Sequence, residues 1–333
     1  MRERNYQIDN LKVILIFCVI FGHLLECVGG GYNLYKIIYS FHMPMFLFVN
    51  GWLAPRNYVS KKTMFKLIYP YVLFQLLYQL FNTYVINEEY VKFSVQFGTP
   101  YWLLWYLLSL IFYYSIIPII ASGSKTYAGV VLLGTIAIAI AIGFDNSIGY
   151  YMSLSRTFVF LPCFVFGYYA GHGVFRTSNI VQSIRKRKSV ILLSIILAFT
   201  VCLIMYKQNL SAGALFGSVP YQQGQLMWYI RMEMLMVSFI WIGIFMVLVP
   251  NRKFLGSVDT FPIYVMHGFV VLYLKKYNPF LYALPVNLLI ASLISVTLIL
   301  LFGNKYISQI IKTFFRGEWA IKLWNKIVVE RNA

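Results

Sequence analysis

The sequence predicts an all-α, polytopic membrane helix bundle of about ten transmembrane helices, both termini cytoplasmic, with a C-terminal amphipathic helix. Three observations lead there. Of 333 residues, 60% are hydrophobic and only 11% charged, whereas soluble domains carry about a quarter charged residues. Ten segments are long and apolar enough to span a bilayer, which takes about 20 residues: 8–28, 35–54, 64–86, 101–120, 126–144, 155–172, 189–206, 227–249, 258–274 and 282–302. With the N-terminus inside, 21 of the 28 Lys and Arg fall on the cytoplasmic side and seven outside, the bias that orients multi-pass proteins.

The same bias, with anionic lipid headgroups, accounts for a net charge of +18. Membrane lipids, and no nucleic acid, are the expected partners of those charges. Residues 1–303 read as one transmembrane unit, in a multi-pass protein of the cell membrane, and 304–333 as a cytoplasmic tail. The N-terminus has basic residues before an apolar run but no small-residue cleavage pattern, so it is expected to be a retained first helix. Cys18, Cys27, Cys163 and Cys202 sit in apolar runs without paired spacing, which implies neither a disulfide framework nor a metal site.

The first segment, IDNLKVILIFCVIFGHLLECV, carries Asp9, Lys12, His23 and Glu26. At about 100° per residue, Lys12 and His23 differ by about 20° on a helix, with Asp9 and Glu26 about 60° and 40° to either side. All four share one stripe. Ionisable groups inside a membrane are costly and mark functional sites; the alternative is a polar seam between helices, or end residues that snorkel to water. The topology places His23, Glu26, His42, Arg156, Arg231 and Glu233 at similar depth in the outer half, with His267 close by, so a convergent polar pocket is expected there. Lys12 lies at the inner end, about 16 Å from His23, near Lys61, Lys62 and Lys66. That basic cluster suits an anionic soluble ligand or, equally, lipid phosphates.

The tail repeats apolar residues at helical spacing, Ile307, Ile310, Ile311, Phe314, Ile321, Trp324 and Val328, with Lys312, Arg316, Lys322 and Lys326 between them. It reads as a helix lying on the inner leaflet or packed on the bundle, with Gly317 a candidate break.

The chemistry follows from what is present. Imidazole titrates near neutral pH, so His23 is a candidate general base, with Glu26 three residues on to orient it. No G-x-S-x-G, H-E-x-x-H, P-loop or C-x-x-C motif occurs. A single base that deprotonates a hydroxyl for direct attack on a thioester needs no covalent intermediate and no metal. A transporter or exporter with a buried His/Glu proton relay is the alternative, although no internal repeat of the kind common in transporters is visible.

Six blocks, in order along the chain, resemble one family. The first segment has a basic residue, Lys12, ten intervening positions before His23. IIYSFHMPMFLFVNGWL contains His42 and Pro44, and KKTMFKLIYPYVLF contains Lys62 and Lys66. LWYLLSL, SRTFVFLPCFVFGYYAG with Arg156, and TFPIYVMHGF with His267 follow. The set resembles the acyltransferase 3 membrane acetyltransferases, especially the fucose 4-O-acetylase-like branch. The family usually has Arg where Lys12 stands, and Lys lacks the planar fork for phosphate. The resemblance implies transfer of an acyl group from acetyl-CoA to a sugar hydroxyl of a lipid-linked saccharide or exported glycan, His23 as the catalytic residue, and coenzyme A phosphates held by Lys12, Lys62 and Lys66. Arg156 and Arg231 would bind the glycan or its carrier phosphate, with His42 and His267 as further substrate-binding or packing residues.

Overall fold

The computed structural model describes residues 4–87, 94–175, 177–221, 227–256 and 258–321. Every regular element among them is helical. Helix α1 (Tyr6–Leu25) begins where the Asn5 side chain accepts the Ile8 amide. The second predicted span is two helices, α2 (Tyr32–Tyr39) and α3 (His42–Leu53). Pro44 has no N–H to offer the Ser40 carbonyl and occupies the first turn of α3, where a helix tolerates it. At the break, the Ser40 hydroxyl turns back to the Ile37 carbonyl (2.7 Å) and accepts the Trp241 indole N–H (3.1 Å).

Ser60 caps α4 (Lys61–Phe81), which continues as a π turn to Ile86. A 3-10 turn, Trp102–Leu104, leads into α5 (Trp105–Ser115) and α6 (Ile117–Ile120). Then come α7 (Lys125–Ala141), α8 (Leu154–Gly171), α9 (Thr177–Arg185) and α10 (Lys188–Lys207). They are followed by α11 (Ala212–Phe216), α12 (Trp228–Leu248), α13 (Thr260–Tyr277), α14 (Leu284–Gly303) and α15 (Lys305–Phe315). Helix occupies each of the ten predicted ranges. Six helices among the described residues are long and apolar enough to cross a membrane. Several expose large apolar side chains, such as Leu192, Leu193 and Ile196 on α10 and Leu289, Leu293 and Leu300 on α14, as helices facing lipid do. The chain is an all-α polytopic membrane bundle.

Buried polar side chains tie helix ends together. Asn10 of α1 donates to the Pro250 and Arg252 carbonyls and accepts the Leu255 amide. Arg185 donates to the carbonyls of Met246, Val247 and Val249, satisfying the open C-terminus of α12. Lys36 is buried and caps α10 through the carbonyls of Tyr206 and Gln208. Helix α15 packs Phe315 against Phe74 (5.5 Å between centroids) and buries Ile311, while Tyr306, Ile310 and Phe314 form an exposed apolar stripe. It ends beside Gly317, at the expected break. The later tail positions Lys322, Trp324, Lys326 and Val328 lie outside the described residues.

The tightest packing joins α3 and α8, which run parallel with their backbones in contact. A Cβ at Gly51 would lie 2.0 Å from the Phe164 carbonyl oxygen, one at Gly167 2.0 Å from that of Phe48, and one at Gly171 2.4 Å from that of Trp52. Gly167 and Gly171, four apart, are a small-xxx-small seam; in lipid, where apolar side chains gain nothing from avoiding water, such close approach supplies the van der Waals contact that holds helices together. Gly167→Ala is therefore expected to force the pair apart, costing at least the roughly 1–3 kcal/mol of an overpacked core. A lowered Tm and loss of the monodisperse peak in size-exclusion chromatography of the detergent-solubilised protein would be the readout; an unchanged Tm would contradict the seam.

Candidate active site

Two cavities abut at His23. The larger, about 760 Å3, is lined along α1 by Asp9, Lys12, Ile16, Val19 and His23. These recur every three or four residues, so the polar stripe of α1 is one wall of this cavity. The smaller, about 290 Å3, lies beyond His23 and includes Glu26, Tyr39, His42, Trp102 and Arg156. His23, Met43, Leu103 and Trp105 line both.

His23 is held by groups from three other segments. Tyr39, at the end of α2, has one proton and donates it to Glu26 Oε1 (2.8 Å). Its oxygen then accepts from His23 Nδ1 (2.9 Å), which also lies 3.2 Å from Glu26 Oε1. Nδ1 therefore carries the hydrogen, and Nε2 is the basic nitrogen. Lys275, in the last turn of α13, donates to the second Glu26 oxygen, Oε2, and sits 5.0 Å from the centre of the Trp102 ring. Gly22 makes the Tyr39 contact possible, since a Cβ there would press on the Tyr39 ring at 3.2 Å. The His267 ring stacks on His23 at 5.7 Å; its Nδ1 donates to the Ile263 carbonyl (3.0 Å), and its Nε2 is buried without a partner among the described residues.

Trp102 closes over His23, ring to ring at 4.7 Å, from a left-handed backbone conformation (φ 37°). That conformation is costly for a bulky residue, and such strain gathers at functional sites. Buried Gln75 of α4 holds the loop that imposes it. Its amide donates to the Gln96 and Thr99 carbonyls (2.9 Å each) and its oxygen accepts the Tyr101 amide (2.8 Å). The same loop accepts the Met152 amide at Gly98 (2.6 Å). Met152 and Ser153, both at positive φ, lead into α8.

Arg156, in the first turn of α8, lies among the Trp105, Tyr150 and Phe216 rings at 5.3, 5.3 and 5.5 Å. Its Nε is buried with no hydrogen-bond partner, and no carboxylate pairs with it among the described residues. The smaller cavity is thus an aromatic box with a guanidinium on one side and the Lys275 ammonium on another. His42 also lines it, its Nδ1 donating to the Ile38 carbonyl (2.9 Å). At the opposite mouth of the larger cavity stand Arg4, Lys12, Lys66 and Arg316. Asp9, for which the sequence suggested no role, pairs with Arg4 (2.8 Å) and loosely with Lys12 (4.0 Å).

Three expected site residues line neither cavity: His267 is fully buried against His23, and two lie further off. Lys62 is exposed and lines neither cavity; Thr63, Lys66 and Leu67 occupy the cavity face of α4, and Lys62 is turned about 100° from Thr63. Arg231 donates to the Val219 carbonyl (2.7 Å) and lies 4.7 Å from the Tyr221 ring. It borders a narrow recess behind Tyr39, outside the aromatic box; its neighbour Glu233 accepts from Gln208. Tyr39, Trp102, Lys275 and Arg316 were missed from sequence. Among the described residues, no group of three or more His, Cys, Asp or Glu is placed to hold a metal ion.

A family model for an acyltransferase domain, acyltransferase 3, matches residues 5–304. The chain belongs to the acyltransferase 3 family. No curated protein and no solved structure matches it. As an acyltransferase 3 protein it is a membrane acyltransferase.

Gln75→Leu removes the three bonds that fix the Trp102 loop and leaves two carbonyls and an amide without partners, each costing about 1–3 kcal/mol when buried. The expected result is a several-degree fall in Tm together with a drop in tryptophan emission anisotropy. An unaltered Tm would remove Gln75 from this role.

Proposed function

We propose that this protein transfers an acetyl group from acetyl-CoA to a sugar hydroxyl of a lipid-linked or exported glycan, in the cell membrane. Acetyl-CoA enters the larger cavity from the cytoplasm, and the glycan occupies the smaller one. The observation that carries this is the position of His23: it lines both cavities, with Nδ1 committed to Tyr39 and Glu26. Nε2 takes the acceptor proton as the hydroxyl oxygen attacks the thioester carbonyl. The C–S bond breaks, and the imidazolium returns its proton to the departing thiolate. Glu26 stabilises the imidazolium through Nδ1, and Lys275 fixes the Glu26 carboxylate. The fixed, charged partner matters because its stabilisation grows as the proton arrives, in the transition state.

The aromatic walls of the smaller cavity suit the apolar faces of a sugar ring, and Arg156 suits a phosphate or carboxylate on the acceptor or its carrier. Lys12 and Lys66 suit the phosphates of the donor. Membership of the acyltransferase 3 family favours transfer over the exporter alternative.

Protein in nanodiscs, given radiolabelled acetyl-CoA and a saccharide acceptor, should yield labelled product. His23→Ala should lower kcat by about 100- to 10,000-fold, the range for loss of a general base; retained transfer would exclude His23. Glu26→Gln keeps an oxygen on Nδ1 but loses the charge, so kcat should fall roughly tenfold or more, about 1.4 kcal/mol per tenfold, with the donor KM unchanged. A normal rate in that variant would reduce Glu26 to a structural group.

A further inference from the structure

The basic mouth of the larger cavity contains a side chain from outside the family match, which ends at residue 304. Arg316 follows α15 and lines the cavity together with Arg4, Lys12 and Lys66. The other cations there have carboxylate partners: Asp9 serves Arg4 and Lys12, and Glu318 lies 3.6 Å from Lys66. The nearby acid Asp259 is paired with Lys312 (3.2 Å). Arg316 has no carboxylate partner among the described residues, and its Nε is buried without a hydrogen bond. One face of its guanidinium is held against Phe261, 5.1 Å from the ring centre. Arg316 is half-buried at the cavity wall with no carboxylate among the described residues to occupy its planar fork, and that fork matches a phosphate.

The backbone is shaped to bring it there. Gly317 has φ 69°, and a Cβ on it would lie 2.6 Å from Phe65 and 3.0 Å from Tyr69. Both rings belong to the first turns of α4, which also carry Lys66. Phe315 packs on Phe74 of the same helix. The segment therefore lies flush on α4, with Arg316 in the cavity and Glu318 on Lys66.

We infer that residues 315–318 complete the phosphate-binding end of the donor site, with Arg316 as a ligand for a donor phosphate and Glu318 as a carboxylate that competes with that phosphate for Lys66. This rests on acyl-CoA being the donor. The Lys66–Glu318 pair is partly exposed, and such pairs are worth little, so a polyanion displaces the carboxylate at small cost. Removing Glu318 then strengthens donor binding, whereas removing Arg316 weakens it. A merely structural ion pair would not produce opposite signs.

The test is the affinity of the full chain for coenzyme A, by isothermal titration in phosphatidylcholine nanodiscs, where no anionic headgroup competes. Arg316→Ala is expected to raise Kd about tenfold or more, as for a charged hydrogen bond, and Arg316→Lys by less. Glu318→Gln is expected to lower Kd by roughly two- to fivefold, with Tm measured on every variant to establish folding. If the wild type binds coenzyme A and neither Arg316 variant changes Kd, the inference falls while the donor assignment stands. If the wild type does not bind coenzyme A, the donor assignment falls and takes the inference with it. An Arg316 effect confined to phosphatidylglycerol nanodiscs would overturn it in favour of a lipid phosphate.

Discussion

Backbone contact between α3 and α8 sets the spacing on which the rest is built. In water, two helices could be held at a range of distances by interlocking apolar side chains. In lipid the gain must come from close contact itself, and three glycines bring main chain against main chain. Because the helices run parallel, their first turns lie towards one end of the bundle. Those turns carry His42 and Arg156, which both line the smaller cavity. The seam leaves no room for sliding, so the two side chains keep a fixed separation.

A second constraint is chemical. Glu26 receives Tyr39 from α2 and Lys275 from α13, and with Tyr39 shares the Nδ1 hydrogen of His23. One carboxylate thus ties three helices to one ring. Trp102 arrives from a loop pinned by Gln75 and confines the other side of that ring. The strained backbone at Trp102 is tolerated because three bonds to one buried amide determine the loop. Other helix ends are closed by similar means, with Arg185 and Lys36 supplying donors where main-chain carbonyls run out of partners.

Much of this was legible in the sequence. Twenty-residue apolar runs mark the spans, and the 3.6-residue period shows that Asp9, Lys12 and His23 share one side of α1. The second span, expected as one segment over 35–54, is instead two helices that part just before Pro44. Other features carried weaker signals. Tyr39 is one aromatic among 27 tyrosines, and nothing local distinguishes it. Lys275 looks like any cation flanking a span, because its partner lies 249 residues away. Arg231 shared a predicted depth with the site, but depth says nothing of azimuth, and its guanidinium turns to the carbonyl of Val219 in the segment just before α12. Lys62 and Lys66 look alike as letters, and only the facing of α4 separates them. The four-residue spacing of Gly167 and Gly171 is itself a local signal of close helix packing.

The wall shared by the two cavities has an electrical consequence. On the proposed reading, in which the larger cavity opens to the cytoplasm and the smaller to the opposite face, part of the membrane potential would fall across the wall of His23, Met43, Leu103 and Trp105 that the cavities share. A full elementary charge moved through the whole field is worth about 2.3 kcal/mol per 100 mV. Any proton taken up or released at the His23 ring would move within that part of the field. The partition would then act as the dielectric of a small capacitor, coupling the protonation of one imidazole to the energised state of the membrane.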